Sequence, residues 1–232
     1  MAVNRIILNE TSYFGAGARR MLADEFRGRG YVRAFVVTDK DLIRFGVAGK
    51  VTGVLDEAGI AYEIFSDLKP NPTVKNVQAG VEAFRRSGAD AIVAIGGGSP
   101  IDAAKAMWVF YEHPRVTFQS LLEPFSFPAL REKARFVAIP STSGTATEVT
   151  AFSVITDYQT GVKYPLADFQ ITPDIAIVDP ALVETMPQEL IAHTGMDALT
   201  HAIEAYVSTQ HSPFTDPLAL HAIKMIAAHL PK

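Results

Sequence analysis

The sequence predicts an α/β protein, a parallel sheet with helices on its faces, followed by the start of an all-α domain. Three observations carry that prediction. Short β-branched apolar runs alternate with helix-like stretches through the first 180 residues, a glycine-rich strand-to-helix turn stands at 95–99, and beyond Pro180 the pattern is helical throughout.

Taken in order, "RAFVVTD" (33–39), "AYEIFSD" (61–67), "DAIVAIG" (90–96), "RFVAIPS" (135–141) and "DIAIVDP" (174–180) read as short buried strands. "VAGKVTGVLDEAG" (47–59) and "TVKNVQAGVEAFRRSG" (73–88) read as helices, the second stopped by the glycine expected at a helix C-terminus. "FSVITDYQTGVKYPLAD" (152–168) breaks the alternation and reads as a hairpin about a Tyr158–Gly161 turn. "VNRIILN" (3–9) is a candidate edge strand pairing across a dimer. The helical pattern after Pro180 places a domain boundary near residue 181, giving domains 1–180 and 181–232. On the last helix Leu218, Ile223, Ile226 and Leu230 form an apolar face with little left to pack against, so the second domain is expected to be incomplete.

Composition narrows the function. With 232 residues, 48% of them hydrophobic, the chain can bury a sizeable core. A net charge of -4 without a run of Lys or Arg argues against nucleic acid and anionic membranes as partners and favours small molecules. No apolar run reaches the length of a membrane span, and no signal peptide precedes the first strand. The absence of cysteine excludes disulfides, thiolate ligands and a Cys nucleophile, and fits a cytoplasmic protein.

The turn "IGGGSPIDAAKA" (95–106) is the most informative stretch. Ser99 is placed to cap a helix, Pro100 suits its first position, and Asp102 has capping-box spacing from the serine. Such a turn aims backbone N–H groups and the positive helix end at one point, which suits a phosphate in a Rossmann-like, nucleotide-binding sheet. It is neither a dinucleotide fingerprint, since Ile101 stands where a small residue is needed, nor a P-loop. The alternative is a tight turn that binds nothing. "IPSTSGTATEVT" (139–150) offers hydroxyl donors at another strand end, although Thr145 and Glu148 also have capping-box spacing. Asp39 ends "AFVVTD", where a carboxylate can accept from ribose hydroxyls and repel a 2′-phosphate, or simply cap the next helix. In "TGMDALTHAIE" (194–204), Asp197 and His201 lie within about 40° of each other on one helix face. That pair can supply half of an Fe²⁺, Zn²⁺ or Mn²⁺ site. Thr194 and Asp197 alternatively have capping-box spacing, and His201 can be an ordinary surface histidine. Met196, Leu199, Ile203 and Val207 fall on a different face and are expected to meet the core.

In order, "VVTDK", "KPNPT", "AIGGGSPIDAAKA", "IPSTSGTATEVT", "PDIAIVDP" and "TGMDALTHAIEAY" resemble the iron-dependent (group III) alcohol dehydrogenases, nearest their propanediol oxidoreductase branch. The resemblance runs from about Ile7 to the C-terminus. It implies an NAD-linked enzyme moving a hydride between nicotinamide and a small primary alcohol, diol or aldehyde, with Fe²⁺ or Zn²⁺ on the substrate oxygen. It implies Gly97, Gly98 and Ser99 on the pyrophosphate, with Asp102 in the same turn. Asp39 and Asn71 would lie at the adenosine end, Thr142, Thr145 and Lys163 around the diphosphate and nicotinamide ribose, and Asp197 and His201 on the metal. No residue is assigned as the base, and His211, His221 and His229 do not match the family's two further histidine ligands. A cytoplasmic homo-oligomer, such as a dimer, is expected. The alternatives are a catalytically silent NAD-binding fragment, or a relative of glycerol dehydrogenase or dehydroquinate synthase. Those relatives lack the "GGGSPID…STSGTATE" combination.

Overall fold

A computed structural model describes residues 5–158 and 160–231. By contact, the chain divides into two compact units, Met1–Ser141 with Thr147–Leu182, and Thr142–Ala146 with Val183–Lys232.

The first unit is built on a six-stranded, wholly parallel sheet in the order β1-β8-β5-β4-β2-β3. Its strands are β1 (Thr11–Phe14), β2 (Arg33–Val37), β3 (Ala61–Phe65), β4 (Ala91–Gly96), β5 (Arg135–Pro140) and β8 (Ile175–Val178). The hairpin of β6 (Phe152–Asp157) and β7 (Val162–Ala167) forms a separate antiparallel pair, and Gln159 of its turn lies outside the described residues. The connecting helices are α1 (Met21–Arg29), α2 (Lys40–Arg44), α3 (Val47–Ala58), α4 (Val74–Ser87) and α5 (Gly98–Glu112).

Both sheet faces are covered, which is why the central strands read as continuous apolar runs rather than alternating ones. Phe35, Val37, Ile92, Ala94, Phe136 and Ala138 turn to α4 and α5. Ala34, Val36, Val93, Ile95, Val137 and Ile139 turn to α1 and α3. Thr73 and Asn76 close a capping box that starts α4. The chain runs outward from β2 to β3, returns across the sheet to β4, and continues the other way to β5. The order therefore switches between β2 and β4, where open α/β sheets form a crevice at the strand C-termini.

Two expectations about the N-terminus and the 139–150 stretch change. Residues 5–9 are irregular, Val3 and Asn4 lie outside the described residues, and the edge strand is Thr11–Phe14, which pairs with β8. "TSYF" escaped the strand pattern because, as an edge strand, it is only partly covered. No helix starts after "IPSTSGTATEVT", since residues 141–150 are turns and bends, so Thr145 and Glu148 do not form a capping box.

The second unit contains α6 (Gln188–Val207) and α7 (Thr215–His229). Helix α6 runs unbroken through Gly195, whose missing side chain makes room for Leu230. Thr194 is thus mid-helix, not a cap, and its hydroxyl donates back to Leu190 O at 2.9 Å. Of the face expected in the core, Leu199 is half-buried and Met196, Ile203 and Val207 are 54%, 46% and 70% exposed in this chain, while α6 buries Gly195 and Ala202. Small residues win because they let a second helix approach closely. On α7, Ala219 is buried, Ile223, Ile226 and Leu230 are half-buried, and Leu218 is exposed. Among the described residues no helix is long and apolar enough to cross a membrane.

Trp108 is the largest fully buried side chain; its indole N–H donates to Ala134 O at 3.1 Å, and it packs against Phe136 and beneath Arg131. Trp108→Ala should lower unfolding free energy by about 3–5 kcal/mol in urea titrations, through cavity and lost contact. A loss below about 1 kcal/mol would show that the α5 face collapses to refill the space.

Candidate functional site

The glycine turn ends β4 and starts α5 at the sheet's switch point. Gly96 has φ +156°, and a Cβ there would lie 2.5 Å from Pro100 Cγ, so the sharp bend needs glycine. The helix starts two residues earlier than its capping pattern implies: Gly97 is the N-cap and Ser99 lies inside the first turn. No side chain caps this end, which keeps the first-turn amides for a ligand.

The hydroxyl of Ser99 has another use. Asn71, with φ +57° in the left-handed region, donates its backbone N–H to Ser99 Oγ at 3.3 Å. Lys163 Nζ, from β7, donates to Asn71 Oδ1 at 2.8 Å. Three residues separated by up to 92 positions thus meet beside the glycine turn, and the hairpin delivers the ammonium. The hairpin is aligned with the "PNPT" segment by Thr156 N–H to Pro72 O at 2.8 Å and the Thr73–Thr156 bridge.

Asp102 is placed differently from the implied role in the phosphate turn. Its carboxylate accepts from Thr147 Oγ1 at 2.6 Å and from Val154 N–H at 3.0 Å, and its carbonyl accepts from Ser153 Oγ at 2.7 Å. It grips the hairpin. One turn on, Lys105 is fully buried and donates to Thr150 O at 2.7 Å, Phe152 O at 2.9 Å and the hydroxyls of Thr147 and Thr150. Burial pushes the Lys105 ammonium down to about 8, against the attraction of Asp102 and Glu148. Burial raises Asp102, opposed by Lys105 and Thr147, and burial also raises Glu148. Sequence reasoning missed Lys105, although a charge pair at i, i+3 inside the apolar run "IDAAKAMWVF" was a usable signal.

Asp39 is the N-cap of α2: its Oδ1 accepts from Leu42 N–H at 2.8 Å. In the second unit, the segment 142–146 lies against α6, with Ser143 Oγ 3.2 Å from Thr194 Oγ1. Thr142 is half-buried and Thr145 exposed. Gly144, at φ +118°, comes so close that a Cβ would stand 2.7 Å from Thr194 O and 2.9 Å from Asp197 Oδ2. His201 Nδ1 lies 3.2 Å from Gly144 O. A carbonyl only accepts, so Nδ1 carries the hydrogen, and Nε2, which in the neutral ring is the lone-pair nitrogen, stands 3.8 Å from Asp197 Oδ1. That spacing is close to the roughly 3–3.5 Å between neighbouring ligand atoms of a small divalent cation, so the donor pair fits a metal. Among the described residues no group of three or more His, Cys, Asp or Glu side chains could hold an ion.

The buried ammonium makes stability depend on pH. Folding lowers the Lys105 value from 10.5 to about 8, so between those values the unfolded chain binds more protons. Stability from this group therefore rises with pH across that window, by at most about 3 kcal/mol. Urea unfolding of the parent at about pH 7.5 and about pH 9.5 should show the increase, and Lys105→Met should lack it. Equal pH slopes in parent and variant would contradict the assignment.

Residues 9–180 match the family described as iron-containing alcohol dehydrogenase, and residues 191–232 match the Fe-containing alcohol dehydrogenase family, C-terminal. The chain is 58% identical over 226 residues to an NADPH-dependent butanol dehydrogenase of Clostridium saccharobutylicum, covering 97% of this chain and 58% of that protein. A solved 1,3-propanediol oxidoreductase superposes with TM-score 0.93 at 37% identity, over 99% of this chain and 59% of that one. Sulfoacetaldehyde reductase from Bifidobacterium kashiwanohense, solved with NAD+, superposes with TM-score 0.89 at 32% identity, over all of this chain (100%) and 60% of that one. The chain thus spans somewhat under two thirds of the length of these relatives. An ordered set of motifs, a parallel sheet with an uncapped glycine turn, and both sequence matches agree: the chain belongs to the iron-containing alcohol dehydrogenase family.

Proposed function

We propose that this chain belongs to a metal-dependent, NAD-linked alcohol dehydrogenase acting on a small primary alcohol, diol or aldehyde, in a cytoplasmic homo-oligomer without nucleic-acid or membrane partners. Residues 1–180 hold the dinucleotide and 181–232 contribute to the metal. The observation that carries the reading is the meeting of Ser99, Asn71 and Lys163 beside an uncapped helix N-terminus at the switch point.

When bound, the dinucleotide supplies a hydride acceptor or donor, and a divalent metal supplies Lewis acidity at the substrate oxygen. The chain's own part is binding and orientation. Gly97 and Gly98 bring backbone N–H groups within reach of the pyrophosphate, and Lys163 adds a positive charge near it. Asn71 fixes that lysine while its own N–H is held by Ser99. Thr142 and Thr145 offer hydroxyls to the diphosphate and nicotinamide ribose. In the second unit, the Gly144 carbonyl fixes the His201 tautomer so that Nε2 and Asp197 present ligand atoms together. Asp102 is better read as a support of the hairpin than as a contact to the cofactor.

Asp39 favours NAD over NADP in this reading, because one carboxylate oxygen caps α2 and the other can take a ribose hydroxyl. The butanol dehydrogenase relative is NADPH-dependent, which makes the cofactor comparison discriminating. Calorimetry should find NAD+ bound more tightly than NADP+ by roughly 1–3 kcal/mol. Asp39→Gly should narrow the gap and cost only a few tenths of a kcal/mol in capping, about the usual Asp-to-Gly difference. Equal affinities in the parent would sink the role given to Asp39.

The metal reading is tested without turnover. Zn²⁺ titration of the parent should give one weak site, and His201→Ala should weaken it at least about tenfold, since outer-shell partners alone are worth about 10–100-fold. Unchanged binding in the variant would exclude His201 as a ligand.

A further inference from the structure

Among the described residues the hairpin that carries Lys163 pairs with no strand of the main sheet; Thr156 is held to Pro72 and Thr73, and the entry of the hairpin is held to α5. We propose that Lys105, together with Asp102, is a positioning residue of the nucleotide site: the pair clamps the entry of hairpin β6–β7 onto α5 and so delivers Lys163 to Asn71 and Ser99.

Every contact in the clamp lies between one turn of α5 and residues 147–154. Lys105 Nζ takes the carbonyls of Thr150 and Phe152, the residues leading into and beginning β6. Asp102 takes the N–H of Val154 two residues further along the strand. Thr147 joins the two charges, its hydroxyl accepting from Lys105 at 3.2 Å and donating to Asp102 at 2.6 Å. Phe152 and Val154 of the strand, and Thr150 just before it, are thereby pinned to a helix whose own first turn carries Gly98 and Ser99. The β6–β7 register pairs Thr156 with Lys163, so fixing β6 fixes the lysine. The path closes on itself: Lys163 donates to Asn71, and Asn71 donates to Ser99 on the same helix.

A lysine buried to 0% exposure does not touch the cofactor, and its protons are held by backbone carbonyls and hydroxyls of the hairpin entry. An apolar side chain of similar length would fill the volume but leave the carbonyls of Thr150 and Phe152 without this donor. The strand entry would then be free to shift, and a shift there moves the Lys163 ammonium.

This inference rests on the dinucleotide reading, so the experiment separates the two. NAD+ binding is measured by calorimetry in the parent, Lys163→Ala, Lys105→Met, Thr147→Val and the Thr147→Val/Lys163→Ala double variant. Thr147→Val keeps shape and cuts the link between the charges, which covers the case in which Lys105→Met does not fold. Thr147→Val should weaken NAD+ on the order of tenfold, the scale of a small displacement of a binding group. The double variant should bind within about twofold of Lys163→Ala alone, because the clamp acts through the lysine. A purely structural role predicts independent, multiplicative losses, and that result overturns the proposal. Parent-like binding by Thr147→Val overturns the positioning role while leaving the dinucleotide site intact, provided Lys163→Ala binds weakly. A parent that does not bind NAD+, or a Lys163→Ala variant that binds as the parent does, overturns both.

Discussion

An ammonium inside a protein is tolerated only where oxygens take its protons, and Lys105 meets that condition by reaching out of α5 to a neighbouring segment. The helix is covered by the sheet, by α4 and by the hairpin, so the fully buried Lys105 has no water to turn to. Asp102 and Lys105 find partners only if residues 147–154 lie alongside. The cost of burying two charges thus becomes a condition on where the hairpin sits, and through it on where Lys163 and Asn71 meet Ser99.

The same helix shows why local signals and tertiary demands diverge at a binding site. Its start is marked by Ser99 and Pro100, residues that suit a capped terminus, yet Gly97 takes the cap and the serine hydroxyl serves Asn71. A capped end would spend a first-turn N–H on its own side chain. Leaving it uncapped keeps those amides directed at the crevice, and the extended, positive-φ Gly96 lets the strand turn sharply enough to aim them.

Close approach also governs the second unit. Gly195 admits Leu230 against α6, and Gly144 brings its carbonyl onto the same helix, near Thr194 and Asp197. A side chain at Gly144 would collide with both the Thr194 backbone and the Asp197 carboxylate. The imidazole of His201 is oriented by that carbonyl, so the geometry of the donor pair depends on a residue 57 positions earlier in the chain.

The alternating α/β pattern, the central strands, the hairpin, the glycine turn and the Asp197–His201 spacing are all legible in the residues alone. Each of these is written in short-range periodicity or spacing, which the backbone geometry converts directly into structure. The sequence did not reveal β1, whose residues "TSYF" are an edge strand defined by pairing with β8 rather than by their own hydrophobicity. It also did not show that the small residues Gly195 and Ala202 are the ones α6 buries in this chain, because close helix approach is set by the neighbour, Leu230 in the case of Gly195, and not by apolarity. No local pattern says that Asp102 faces the hairpin, that Lys105 is buried, or that Lys163 reaches Asn71 across 92 positions. The reason is the same in each case: a buried polar group is defined by the partner that satisfies it, and that partner comes from a distant part of the chain.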